Sequence, residues 1–371
     1  MKVVWIVPGF SRNEDDWCIP ALLDLARALA QYCDLHIVTL RYPERRGTYA
    51  IGRAMVHSLG GGHRGPLFTP SIWHEAARTI KQLNSDVLHA FWAYEPGWIA
   101  ARSYRRAPIV ISLSGGELMD LPQIHYGLIG RWPVRWMIRW ALRRATTITA
   151  GSKYLLEIGQ RFVGAGQFEL APLGVDLKLF SPAKVPDPSQ GHILLNVASL
   201  EPVKDQATLL RAFRFVADQF PGARLTIAGQ GRVETQLRHL AGELCLSDRV
   251  DFRGEIEHHH LPEVYRSATV YVQSSRHESQ GMALLEAAAC RLPIVGTQVG
   301  ALADLAPRAA IATPVGDVNR LAKAMIDLLR DPDRAAQLGQ AARETVEREY
   351  NLDCAVARFM ALYRRVTGDE C

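Results

Sequence analysis

The feature that most constrains this 371-residue chain is an alternation of strand-like and helix-like segments that runs twice and is broken once. KVVWIVP opens as a short β-branched run, IPALLDLARALAQY has apolar residues at helical spacing, and DLHIVTL is strand-like again. TPSIWHEAARTIKQLN starts on Thr-Pro and reads as a helix, and DVLHAFW, APIVISL and ATTITAGS read as further strands. Such alternation predicts a parallel sheet with helices on both faces. The stretch FSPAKVPDPSQGH, 180–192, then clusters prolines and a glycine and reads as an interdomain linker. Afterwards the alternation restarts with ILLNVAS, QATLLRAFRFVADQF, ARLTIAG, VETQLRHLAGEL, RVDFRG, LPEVYRSA, TVYVQSS and LPIVGTQ, and a helical tail begins near Asp317. The expectation is an α/β protein of two doubly wound, parallel-sheet domains, 1–185 and 186–350, with a C-terminal helix, 351–371, returning to the first domain. The length also exceeds what one typical core organises. SLGGGHRGP, 58–66, reads as a mobile loop.

Composition matters where it excludes. No apolar stretch approaches the ~20 residues of a membrane span, and MKVVWIVPGF reads as a buried first strand rather than a signal peptide. The six cysteines, Cys18, Cys33, Cys245, Cys290, Cys354 and Cys371, form no CxxC pair, and none sits near histidines at zinc-finger spacing. They read as reduced thiols in a cytosolic protein. Residues 1–188 carry 22 Lys+Arg against 15 Asp+Glu, whereas the remainder carries 21 against 23. A basic first half suits an anionic acceptor or peripheral contact with the inner face of a membrane, or is ordinary solvated charge. Nucleic acid is not among the expected partners.

The chemistry concentrates in SSRHESQGMALLEAAAC, 274–290, where two carboxylates bracket a helix start. The N–H groups of Gly281, Met282 and Ala283 form the first turn, a ready anion site for a phosphate. Glu286, one turn on, can accept hydrogen bonds from a ribose diol. Glu278, before the helix, can reach hydroxyls beyond the phosphate. A glycosidase acid/base pair is disfavoured, since those carboxylates sit ~5–9.5 Å apart and eight helical steps span ~12 Å. On spacing alone, a solvent-facing Glu278 and a Glu286 that answers only the helix dipole stand equally open.

ESQGMALLEAAACRLPIVGT resembles the signature of the family 4 retaining glycosyltransferases: a glutamate, seven residues, a second glutamate, then a Leu-Pro-aliphatic strand. The resemblance extends along most of the chain. It takes in LAPLGVDLKLFSP, LLNVASLEPVKDQATLLRAF, LTIAGQGRVETQLRHLAGELCLSDRVDFRGEI and LPEVYRSATVYVQSS in the family's order, with DVLHAFW, IVISLSGGE and LRRATTITAGSKYL similar in kind. It implies two facing Rossmann-like domains, the GT-B fold, with an acceptor-side first domain and a donor-side second. It implies transfer of a hexose from a nucleotide-diphosphate sugar, UDP- or GDP-linked, to a hydroxyl of a glycan, a lipid-linked glycan or a small molecule. No cofactor and no metal are implied. Glu286 would bind the donor ribose, Glu278 would face the donor sugar, and Lys204 would neutralise the diphosphate. Gly281, Met282 and Ala283 would supply N–H groups to it, and Gly229 and Gly231 would turn the chain beside the nucleotide.

Two departures stand out. Ser199 occupies the position, five before the loop lysine, where the family commonly has an arginine; Arg276 is the candidate substitute. Ser114, in SLSGGE, stands where a first-domain histidine is common; it can hydrogen-bond a sugar hydroxyl but carries no proton-linked charge. Arg291 also replaces a common glycine. These departures are the support for the alternatives, an inactive nucleotide-sugar-binding protein or a sugar-nucleotide epimerase on the same fold.

Other motifs carry less. HHH, 258–260, reads as a solvated loop, and Asp331 and Asp333 as a helix-breaking turn rather than a metal motif. His89 is either a core histidine or an acceptor-side contact. In RWPVRWMIRWALRR, Arg131, Arg135, Arg139 and Arg143 share a helix face beside Trp132, Trp136 and Trp140. That pattern suits a membrane surface, but the reading adopted is a core-facing tryptophan row with solvated arginines.

Overall fold

The computed structural model describes residues 1–368 except 17, 63–69, 104–106, 165 and 183–190. The chain forms two compact units, Met1–Gly174 with Leu352–Cys371, and Val175–Asn351. The change of unit comes at Gly174, before the proline-rich stretch, because Val175 and Phe180 are already buried in the second unit's core. Most of that stretch, 183–190, lies outside the described residues, as does Cys371.

The first unit contains β1 (Lys2–Gly9), β2 (Asp34–Tyr42), β3 (Gly47–Ile51), β4 (Ala54–Ser58), β5 (Val87–Phe91), β6 (Ile109–Leu113), β7 (Asp120–Leu121), β8 (Tyr126–Gly127), β9 (Thr147–Ala150) and β10 (Phe168–Leu170). Eight of these form one sheet, ordered β10-β9-β6-β5-β1-β2-β4-β3, in which only β3 runs antiparallel, and β7 pairs with β8 apart from it. Val3, Trp5 and Val7 enter one apolar core while Val4 and Ile6 enter another. Burial on both faces is why these strands read as continuous apolar runs instead of alternating ones. The β3–β4 hairpin was not visible as a distinct element in the sequence. The described part of the 58–66 loop is tied down, with Gly61 N–H donating to Leu40 O at 3.0 Å and packed where a Cβ would meet that oxygen at 2.5 Å. Residues 63–66 lie outside the described residues.

The C-terminal helix, Leu352–Thr367, seals one face of the first sheet with Ala355, Val356, Phe359, Met360 and Tyr363. Tyr363 Oη accepts from Trp5 Nε1 at 3.0 Å and lies 2.6 Å from His89 Nδ1. His89 Nε2 lies 2.7 Å from Ser112 Oγ, which is 2.5 Å from Thr149 Oγ1. His89 is therefore a fully buried core residue crossing three strands, and not an acceptor contact. Burial holds its pKa down to about 3 from 6.5. Below pH 6.5 the unfolded chain binds a proton that the folded state refuses. Stability is thus full above that pH and falls as pH drops towards 3, by ~1.4 kcal/mol per unit for one proton. Denaturant titrations of His89→Gln between pH 7 and 4 should show an acid decline shallower by about that slope; an unchanged slope would rule out His89 as the buried neutral group.

The helix Trp132–Leu142 corrects one expectation. Its apolar seam is Val134, Met137, Ile138, Ala141 and Leu142, all buried, while Trp132 and Trp136 are 77% and 53% exposed. Of the tryptophan row only Trp140 packs against the core; Trp132 and Trp136 face away, and the smaller aliphatic residues make the buried seam. Among the described residues no helix is long and apolar enough to cross a membrane.

The second unit contains β11 (Ile193–Val197), β12 (Arg224–Ala228), β13 (Val250–Gly254), β14 (Val270–Gln273), β15 (Ile294–Thr297) and β16 (Ile311–Thr313). They form one parallel sheet in the order β13-β12-β11-β14-β15-β16, the 3-2-1-4-5-6 arrangement of a dinucleotide-binding fold. Leu194, Leu225 and Val270 face one core, and Leu195, Tyr271 and Ile294 face the other. The helices Val318–Arg330 and Pro332–Thr345 make up the tail seen from Asp317 onwards.

Candidate functional site

In a sheet of this order the chain winds outward in one direction, returns, and winds outward in the other. The crevice lies where it reverses, past the carboxyl ends of β11 and β14. The loop after β11 brings Lys204 there, and the loop after β14 brings Glu278. Lys204 Nζ lies 2.7 Å from Glu278 Oε1, and Ser275 Oγ donates to the same oxygen at 2.7 Å. The two loops are joined by Arg276 N–H to Val203 O at 2.7 Å and Ser274 Oγ to Lys204 O at 2.9 Å. Thr297 Oγ1 donates to Ser275 O at 2.6 Å. Gln273, Ser274, Ser275, His277 and Gln280 are all buried, so this is a polar interior held by hydrogen bonds and not a loose loop.

Beside the ion pair, the helix Met282–Ala289 starts at Gly281, whose φ is +93°. That left-handed conformation favours glycine, and it aims the first turn at the crevice. No side chain caps this end. Among the described residues, the N–H groups of Gly281, Met282 and Ala283 meet no backbone acceptor. They are unsatisfied donors at the positive end of a helix, next to a lysine, which is an arrangement that can hold an anion.

Glu286 is buried in the same helix. Tyr265 Oη donates to its Oε2 at 2.8 Å, and His258 Nε2 lies 3.3 Å from Oε1. Burial and the Glu286 charge push the Tyr265 phenol well up, so it remains a proton donor. The carboxylate is fixed from behind, and each oxygen keeps lone-pair capacity for a diol. His258 corrects the solvated-loop reading of HHH, since it is half-buried against Glu286 while His259 and His260 are exposed. Tyr265 escaped the sequence reading, as did the roles of Ser275 and Thr297. Ser275 and Thr297 lie within the motif segments themselves, whereas Tyr265 comes close to the motif only in space.

The remaining second-unit candidates are in part structural. At Gly229 (φ +138°) a Cβ would sit 2.0 Å from Ala198 O, and at Gly231 2.3 Å from Leu200 O. These glycines let the turn after β12 press on the loop after β11, where Leu200 N–H donates to Gln230 O. Ser199 takes part through its carbonyl, which accepts from Gln206 Nε2 at 3.0 Å. Arg276 Nε lies 3.0 Å from Asp205 Oδ2, an attraction by distance whose N–H is not aimed as a hydrogen bond. The charge proposed to replace the missing arginine is thus already answered by a buried carboxylate.

Ser114 belongs to the first unit, after β6. Its Oγ donates to Ser112 O at 3.2 Å. The N–H groups of Ser114 and Gly115 donate to Glu117 at 3.1 and 2.8 Å, and Ala93 N–H reaches the same carboxylate at 3.4 Å. Glu117 is 2% exposed and organises the whole turn. Burial pushes its pKa up, against the backbone donors that lower it. Glu117 ends the segment SLSGGE, but nothing in the sequence marked it as the residue that shapes the turn.

Glu257, His259 and His260 have ligand atoms close enough to share a cation, and all three are exposed. Asp331 caps the helix Pro332–Thr345 by accepting from Arg334 N–H at 3.0 Å, and Asp333 is exposed in its first turn, so neither looks towards the crevice motif. The five described cysteines are free.

A parallel sheet of dinucleotide-binding order, with an open helix start, a lysine and two hydrogen-bonded carboxylates at its switch point, is an arrangement suited to a nucleotide-bearing ligand. The comparisons with known proteins agree. Residues 178–345 match the model for glycosyl transferases group 1, and residues 21–179 match that for glycosyltransferase family 4. A GDP-mannose-dependent monoacylated alpha-(1-6)-phosphatidylinositol monomannoside mannosyltransferase from Corynebacterium glutamicum is 30% identical over 306 residues, covering 76% of this chain and 77% of that one. Sucrose-phosphate synthase from Thermosynechococcus elongatus superimposes with a TM-score of 0.84 at 21% identity, covering all of both chains. HepE from Anabaena, solved with UDP and glucose, does so with a TM-score of 0.76 at 16% identity, covering 98% of this chain and 99% of that one. This chain belongs to glycosyltransferase family 4 and is a glycosyltransferase. The epimerase alternative is set aside by that membership.

Proposed function

We propose that the chain transfers a hexose from a nucleotide-diphosphate sugar to an acceptor hydroxyl with retention of anomeric configuration. The observation that carries this reading is the Lys204–Glu278 pair at 2.7 Å beside the open first turn of the helix Met282–Ala289. In this reading the turn and Lys204 hold the diphosphate, Glu286 grips the ribose and Glu278 faces the sugar. Lys204 then leaves Glu278 in part for the phosphate, so donor binding exchanges one partner of the cation for another. Charge grows on the leaving diphosphate as its bond to the anomeric carbon breaks, and preorganised donors stabilise it. The acceptor oxygen bonds to that carbon on the same face, and its proton passes to the departing phosphate oxygen. Ser114, on the turn shaped by Glu117, hydrogen-bonds a sugar hydroxyl. The donor is UDP- or GDP-linked, since relatives of both kinds resemble the chain.

The test is to incubate pure protein with a panel of UDP- and GDP-sugars and hydroxyl acceptors, follow nucleotide release, and assign the product anomer by NMR. Acceptor-dependent release with a retained anomer is expected. An inverted product, or no release from any donor, overturns the reading. Metal independence belongs to the same proposal, because the helix N–H groups and Lys204 already supply positive charge to the diphosphate. EDTA should leave turnover nearly intact; loss restored by Mg²⁺ or Mn²⁺ would sink the metal-free mechanism, and restoration by Zn²⁺ alone would implicate His259 and His260.

A further inference from the structure

We infer that the exposed face of the helix Trp132–Leu142 is a docking surface for a bilayer carrying anionic lipid. Trp132 and Trp136, one turn apart, are 77% and 53% exposed. Arg131, Arg135, Arg143 and Arg144 are exposed around them, and Arg139 is half-buried. No Asp or Glu occurs between Asp120 and Glu157. Glu157 is taken by Arg161 at 3.4 Å, and among the described residues none of the five arginines is in an ion pair. Helices of the second unit behave differently, pairing Arg214 with Asp218, Arg238 with Glu234 and Lys323 with Asp327. Asp120 lies against Gly130 at the helix start without pairing with any of the five arginines, and beyond it the basic face has no carboxylate partner among the described residues, which is the complement of an anionic surface.

The aromatic part is built rather than loose. Trp136 and Trp140 pack on the buried Trp98 with ring centroids 5.6 and 4.7 Å away. Arg144 lies over Trp140 at 4.5 Å, and Arg135 and Arg139 lie over Phe162 at 5.9 and 6.0 Å. Tryptophan is the residue best suited to the boundary between headgroups and acyl chains, and arginine to the phosphates just above it. A helix with both on its outer side and an aliphatic seam on its inner side lies in that boundary without spanning it.

The surface is also joined to the acceptor-side turn. A Cβ at Gly116 would meet the Tyr126 ring at 2.3 Å, so the turn holding Ser114 packs on the hairpin that leads into this helix. A lipid-linked acceptor held at the bilayer would present its headgroup hydroxyl beside that turn. This delivery step rests on the transfer proposed above, but the docking does not, so either can fail without the other.

The experiment measures co-sedimentation of the full chain with phosphatidylcholine vesicles, with and without phosphatidylglycerol, in the absence of donor and acceptor. Binding is expected to anionic vesicles and to weaken with salt. Trp132→Ala should weaken it by about tenfold, and Arg131→Gln with Arg135→Gln by about fivefold for each charge. Among the described residues Trp132 is in no ring contact and is 77% exposed, so its removal should leave the melting temperature unchanged. Failure to bind anionic vesicles, equal binding to neutral ones, or indifference to all three substitutions would overturn the proposal. A dimer that dissociates on Trp132→Ala, without vesicle binding, would also overturn it by giving the face to a second copy of the chain.

Discussion

Lys204→Ala should lower kcat by about 10²–10³-fold while changing donor affinity far less. Its ammonium is held 2.7 Å from Glu278, with Ser275 on the same oxygen. In the resting site the positive charge is therefore largely answered. It becomes most valuable when negative charge accumulates on the leaving diphosphate, which is a transition-state effect and appears in kcat. The missing arginine at Ser199 sharpens the expectation, because Arg276 is already set against Asp205. Steady-state kinetics with the preferred donor decide the matter. Equal losses in kcat and in donor affinity would mean that Lys204 serves ground-state binding only. Glu278 keeps its Ser275 hydrogen bond in the variant, so the loop after β14 should survive the substitution.

Glu286→Gln should weaken donor binding by about 10–100-fold, since hydrogen bonds to a charged acceptor are worth ~1.5–3 kcal/mol. The substitution also gives Tyr265 a poorer acceptor, so the comparison with Tyr265→Phe is informative. That variant keeps the carboxylate and removes only the support behind it, and it should bind donor better than Glu286→Gln does. Calorimetry with the nucleotide sugar and with the free nucleotide provides both readings. If Glu286→Gln binds donor as tightly as the unaltered chain, the ribose assignment is wrong. If the two variants lose equally, the carboxylate matters through its packing with Tyr265 rather than through the ligand.

Much of the fold was legible because the signals are local. β-branched runs bounded by turn residues, and amphipathic runs between them, depend only on neighbours in sequence, and they located the principal parallel strands of both units. The helix start at Gly281 was legible for the same reason, since capping chemistry is set within one turn. The change of unit at Gly174 was not, because prolines mark a flexible stretch without saying which core claims the residues before it; Phe180 was claimed by the second.

What tertiary structure alone decided are the partners. Tyr265 reaches Glu286 across 21 residues, Lys204 reaches Glu278 across 74 and Tyr363 reaches His89 across 274. No periodicity encodes such pairings, because they follow from which strands are neighbours in the sheet. The same holds for the tryptophans of the helix Trp132–Leu142. Sequence determined that the helix is amphipathic and bears arginines, but two sides of it are apolar. Only the packing of Val134, Met137, Ile138, Ala141 and Leu142 into the first core showed which side was covered, and so left Trp132 and Trp136 to the solvent.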